Sequence, residues 1–152
     1  MINRFHTTLS LLVGILVFSQ CKHTAEEQGQ AILNLSALAA FPLEQPITAY
    51  AQSDTFIQVS LPKNARIEEL SAADLAKLKA AAYRFYKHVK LVDGHYQVSL
   101  PSGKDIAVDE EVVSAYKKAI DQVNQYADSL KAEGQEIRLP EITEAYRQHL
   151  IK

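Results

Sequence analysis

The first pattern along the chain is a dense apolar run. Leu9, Leu11, Leu12, Val13, Ile15, Leu16, Val17 and Phe18 follow Arg4 and close on Phe18-Ser19-Gln20-Cys21. The run is shorter than the about 20 apolar residues that a membrane-crossing helix needs. Behind a positive start, it predicts an export signal over residues 1–20 rather than part of the fold. The next stretch opens polar, with Glu26, Glu27, Gln28 and Gln30, and then places Ile32, Leu35, Leu38 and Ala39 at helical spacing. A short helix is the favoured reading there, with strand alternation through Ile32 and Leu35 as the alternative. Pro42 and Pro46 set a boundary, because proline lacks a backbone donor and biases the preceding residue away from helix. Residues 21–46 are therefore expected to be a tether with a short helix, and 47–152 a single domain.

Within that domain the pattern repeats. Gln58-Val59-Ser60-Leu61-Pro62 recurs as Gln97-Val98-Ser99-Leu100-Pro101, an offset of 39, and Ile67 matches Ile106 at the same offset. Glu136-Ile137-Arg138-Leu139-Pro140 is a degenerate third copy. A fixed period of this length is a signature of duplication. Helical phase supports it: Leu75, Leu78, Ala82, Phe85 and Val89 form an amphipathic seam, and adding 38 gives Val113, Tyr116, Ile120, Val123 and Ala127, all apolar or aromatic. Units of about 55–91 and 94–133 follow, with a partial third at 135–152.

Both pentapeptides read as strands with one buried face. Ile57, Val59 and Leu61 alternate with Phe56, Gln58 and Ser60, and Tyr96, Val98 and Leu100 alternate with Gln97 and Ser99. Pro101-Ser102-Gly103-Lys104 predicts a turn, with Ile106 and Val108 on a returning strand. A first helix is expected from Ser71, capped with the help of Asp74, to about Lys90. A second runs from Asp109 to just before Gly134, with Glu110 and Glu111 favourably placed at its positive end. A short third helix follows Pro140. The predicted fold class is α+β: a small antiparallel sheet packed by two antiparallel helices, built from duplicated ββα units plus a short C-terminal helix. That arrangement puts Arg84, Lys87 and Lys90 beside Asp109, Glu110 and Glu111.

Charge removes some functions. The 152 residues carry a formal net charge of −2, and losing Arg4 with a signal segment leaves about −3. Nucleic-acid binders carry a basic excess or stripe, so no nucleic-acid partner is expected. The chain has one cysteine, so a mature domain starting at or after it folds without disulfide staples.

An apolar run closing on a lone cysteine resembles the signal of bacterial lipoproteins. The resemblance covers the first 21 residues only. It implies that diacylglycerol is attached to the Cys21 thiol, that cleavage occurs just before it, and that the domain is held at an envelope membrane. Gln20 stands where the family has a small residue, which leaves an ordinary export signal cut nearby as the alternative. Lys22 is not the aspartate that resembles an inner-membrane retention signal, so the implied address is the outer membrane.

Candidate chemistry is sparse. His88, Asp93 and His95 are close in sequence, but a zinc site needs three or four converging ligands, so no metal or other cofactor is expected. Two Ser-x-x-Lys strings, Ser60 to Lys63 and Ser114 to Lys117, lack the companion motifs of penicillin-binding enzymes. Pro101-Ser102-Gly103-Lys104 lacks the upstream glycine of a phosphate loop, which argues against a nucleotide. Tyr83, Tyr86 and Tyr126 sit partly off the helical seams, and tyrosines with a polar tip are enriched at interfaces. With Arg84 and Lys87 they form the candidate binding set, against the alternative that the rings border the core and the cations line a solvated helix face. The expected function is a non-catalytic envelope lipoprotein that binds a protein or glycan partner or supports assembly. A periplasmic enzyme inhibitor or chaperone-like protein is the alternative, and a small hydrolase comes third.

Overall fold

The computed structural model describes residues 35–60, 66–135 and 137–152. The expected export segment, Cys21 and the first part of the tether lie outside the described residues. The described residues form five α-helices and a two-stranded antiparallel sheet, so the class is α+β. In chain order they are α1 (Leu35–Ala40), α2 (Thr48–Gln52), α3 (Ala72–Phe85), β1 (Val89–Val92), β2 (His95–Val98), α4 (Glu110–Ala132) and α5 (Glu144–Gln148). Short 3₁₀ turns lie at Ile67–Glu69, Tyr86–His88 and Gly103–Ile106.

The predicted helix starts hold. Ser71 Oγ accepts from the Asp74 amide at 3.1 Å and donates to the Asp74 carboxylate at 2.7 Å, which closes the first turn of α3. Asp109 accepts from the Glu111 amide at 2.9 Å at the start of α4. The end of α4 is a Schellman motif: Gln135 N–H bonds to the Leu130 carbonyl at 2.9 Å and Gly134 N–H to the Lys131 carbonyl at 3.0 Å. Gly134 takes the left-handed conformation that this ending requires, with φ of +79°.

Two expectations about the sheet are corrected. The first helix does not reach Lys90. It stops at Phe85, and Val89–Val92 is instead β1, paired with β2 through Val89 to Val98, Lys90 to Gln97, Leu91 to Tyr96 and Val92 to His95. The turn between them is Asp93-Gly94, with φ of 50° and 84°. Positive φ at both central positions is the type I′ geometry, whose twist matches that of paired strands and which favours Asp-Gly. Val89 stays on the buried seam because a strand, rather than another helical turn, carries it to the core.

The returning strand expected at Ile106 and Val108 is likewise absent among the described residues. Gly103–Ile106 winds into a 3₁₀ turn, and Val108 makes one parallel bridge to Ile57. Ile57 N–H donates to the Ala107 carbonyl at 2.8 Å, and Asp109 N–H to the Ile57 carbonyl at 2.9 Å. Around that bridge Ile57 and Val59 are buried while Phe56, Gln58 and Ser60 are exposed, which is the predicted alternation without a strand partner along its length.

The core gathers both helical seams. Leu78, Ala82 and Phe85 of α3 meet Val113, Tyr116 and Ile120 of α4. Tyr116 is fully buried, stacks on Phe85 with ring centroids 5.2 Å apart, and donates from its hydroxyl to the Leu78 carbonyl at 2.9 Å. A buried hydroxyl of this kind must find an acceptor or cost stability. The C-terminus closes the domain: Leu150 and Ile151 are buried, and the Ile151 carbonyl accepts from the Ile47 amide at 2.9 Å. No helix among the described residues is long and apolar enough to cross a membrane.

Candidate functional site

Arg84 ties several main-chain segments together. It sits near the end of α3 and is 6% exposed. Its Nε donates to the Ala51 carbonyl at 3.0 Å, and Nη2 to Tyr50 at 2.9 Å. Nη1 reaches the carbonyls of Thr55 at 2.9 Å and of Ile106 and Ala107 at 3.1 Å each. One planar fork therefore ties the end of α2, the segment after it and the turn before α4 to α3. Burial lowers the guanidinium pKa, opposed by Tyr50 and Asp54 nearby; an arginine remains charged throughout this range. The expected docking of Arg84 against Asp109, Glu110 and Glu111 is not what forms. Arg84 binds carbonyl dipoles, Asp109 caps α4, and Glu110 turns to the 3₁₀ turn before it.

Two members of the candidate binding set are core residues. Tyr83 and Tyr86, expected to be half exposed, are 2% and 3% exposed. The Tyr86 ring packs edge-on against Phe85 and Tyr116, and burial pushes its hydroxyl pKa far up. The Tyr83 hydroxyl donates to Glu144 at 3.3 Å and accepts from Gln148 at 3.3 Å and Gln52 at 3.4 Å, which links α2, α3 and α5. Lys87 lies over the Tyr83 ring, 4.4 Å from its centroid, in a cation–π contact. Tyr126 is 65% exposed, but it lies ten residues, or about 15 Å of helix, beyond Tyr116. The structure thus brings Tyr83, Arg84 and Lys87 together, places Tyr86 in the core, and leaves Tyr126 apart. Lys79, also on α3, is 1% exposed; its Nζ donates to the Phe41 carbonyl beyond the end of α1, and burial lowers its pKa.

Arg84 and Lys87 also line an open cleft of about 400 Å³. Its other walls are Ala51 and Gln52 at the end of α2, Ser53 and Asp54 just after it, His88 after α3, and Lys104, Asp105, Ile106 and Ala107 before α4. The contributions of Asp54, Lys104 and Asp105 were not visible in the sequence. They come from segments some 50 residues apart, and no local motif marks them.

The remaining sequence candidates are accounted for locally. Pro101-Ser102-Gly103-Lys104 does hold an anion, but an internal one. The Glu110 carboxylate accepts from the Gly103 amide at 2.7 Å and the Ser102 hydroxyl at 3.2 Å. That backbone bond, followed by smaller contributions from Ser102, Lys117 and Lys104, lowers the Glu110 pKa. Hairpin register separates the histidines. The His88 carbonyl bonds Ser99 at one end of the hairpin, whereas His95 flanks the turn, four residues or about 13 Å away along β2. There His95 Nε2 lies 2.8 Å from Asp128. No group of three metal-ligating side chains occurs among the described residues. Of the Ser-x-x-Lys strings, Lys63 lies outside the described residues. Ser114 is exposed, and Lys117 donates to the Pro101 carbonyl at 3.5 Å.

The chain matches no protein-family model, and no curated protein and no solved structure matches it.

Proposed function

We propose that this chain is an exported, lipid-anchored, non-catalytic binding module of a bacterial cell envelope, tethered through Cys21 at the outer membrane. One observation carries the reading: the apolar run from Leu9 to Phe18 behind Arg4 closes on the chain's only cysteine. A lone cysteine has no disulfide partner in the same chain, and exported proteins tend to use cysteines in pairs. Attachment of more than one acyl chain explains it, since a single chain gives only marginal anchoring. The domain behind the tether contributes a polar cleft beside Arg84 as its contact surface for a protein or glycan partner. Its internal duplication belongs to the same proposal, in the form of an extended segment, a 3₁₀ turn and a helix. Ile67 and Ile106 both fall in 3₁₀ turns, and the seam residues Leu78 and Tyr116, 38 apart, touch each other.

Mass spectrometry of the mature N-terminus, alongside a Cys21→Ser variant, tests the anchor. The expected product begins at Cys21, carries added acyl mass and sediments with membranes, while the variant is released. A mature chain beginning elsewhere, or membrane retention unaffected by the substitution, would refute it.

A further inference from the structure

The cleft carries opposite charges that the fold leaves unused. Asp54 and Lys104 both line it, and neither side chain is held by a hydrogen bond or ion pair among the described residues. Asp54 acts on Arg84, and Lys104 on Glu110, only through space. The floor is also incomplete. Arginine offers two hydrogens on Nη2, and the Tyr50 carbonyl takes one of them. A buried guanidinium thus lines the cleft with one N–H beyond those its bonds use and with carbonyl dipoles, not a carboxylate, as its partners.

Charge narrows what can occupy such a cleft. Arg84, Lys104 and Lys87, all of which line it, oppose a simple cation. Asp54 and Asp105 oppose a compact dianion such as phosphate or sulfate. A ligand with one carboxylate and one ammonium satisfies both signs, and a charge-assisted hydrogen bond from arginine to a carboxylate is among the stronger polar contacts. The volume is in the range of small-ligand sites, and the Gln52 side chain in the wall, which donates one amide hydrogen to Tyr83, keeps a donor and its oxygen for an amide. We infer that this cleft binds a short peptide with both termini free, its carboxylate toward Arg84 and Lys104 and its ammonium toward Asp54 and Asp105.

The inference rests on the reading of the chain as a binding module and names the ligand of that surface. The test is titration of the full chain, followed by calorimetry and amide NMR, with alanyl-alanine, its N-acetyl form and its C-terminal amide. The free dipeptide is expected to bind at least about tenfold more tightly than either capped form, with shifts confined to residues around Ser53, Lys104 and Ala107. Arg84 is avoided as a test position because it holds the fold. Asp54→Asn should reduce discrimination against the acetylated form, with Asp105 still in place, and Lys104→Gln should reduce discrimination against the amide, with Arg84 still in place; both positions are exposed, so both variants should fold. Equal binding of the three ligands, no saturable shift up to about 10 mM, or discrimination unchanged in both variants would overturn the assignment. The anchor is read separately: a chain acylated at Cys21 that fails these titrations overturns the cleft assignment alone, and a chain that passes them but begins elsewhere overturns the anchor alone.

Discussion

Replacing Arg84 with lysine keeps the charge and most of the stem, so it isolates the geometry of the fork. The guanidinium makes five contacts to carbonyls of Tyr50, Ala51, Thr55, Ile106 and Ala107. These acceptors come from two sides, the α2 end and the turn before α4. An ammonium has three hydrogens radiating from one nitrogen and cannot reach both sets. At least two hydrogen bonds to a charged group are lost, at about 1.5–3 kcal/mol each, so the variant is expected to lose about 3–6 kcal/mol. Against a typical total of about 5–15 kcal/mol, that is a large share. Urea unfolding followed by far-UV circular dichroism reads it directly. With m of about 1–3 kcal/mol/M, the midpoint should fall by more than about 1 M at unchanged m. A loss below about 1 kcal/mol would refute the reasoning, since it would mean that lysine or water satisfies the same carbonyls equally well.

Gly103→Ala should be strongly destabilising even though Gly103 needs no positive φ. A Cβ there would stand 2.4 Å from the Val108 carbonyl oxygen and 3.2 Å from both the Glu110 carboxylate and a Val113 methyl. Backbone cannot rotate aside, so a loss of about 2–4 kcal/mol is expected in thermal melts; a change under about 0.5 kcal/mol would contradict this packing. Glu110 makes a pH prediction. Its folded pKa is lowered from 4.5, chiefly by the Gly103 amide, so the native state binds fewer protons than the unfolded chain. Its stabilising contribution is complete above pH 4.5 and is lost as pH falls through the lower folded value. Glu110→Gln should therefore flatten the stability profile below pH 4.5, and an unchanged acid limb would count against the contact.

Much of the local structure was legible in sequence because local physics decides it. The starts of α3 and α4 follow from Ser71 and Asp109 as caps, and the end of α4 from Gly134. The buried faces of both helices follow from apolar spacing that the core then uses. The hairpin was legible too, in Asp93-Gly94 flanked by Val89, Leu91, Tyr96 and Val98. Helical spacing that runs through Phe85 to Val89 concealed it, because a strand and a helix can deliver the same residue to the same core. Tyr83 and Tyr86 are buried for a similar reason: apolar spacing ranks positions on one helix, whereas these rings are covered by neighbours distant in sequence.

What the sequence determined by itself is therefore the chain's local grammar and, in Cys21 behind its apolar run, the basis for proposing an address. These depend on residues within a few turns of one another. The tertiary structure alone decided that Arg84 is a buried tie among carbonyls, that Lys79 is covered, that Glu110 fills the Ser102-Gly103 turn, and that Asp54 and Lys104 face one cleft. Each depends on where separate segments meet. A side chain's charge is written in its identity, but whether it faces water, a carbonyl or an unfilled cleft is set by the other segments packed around it.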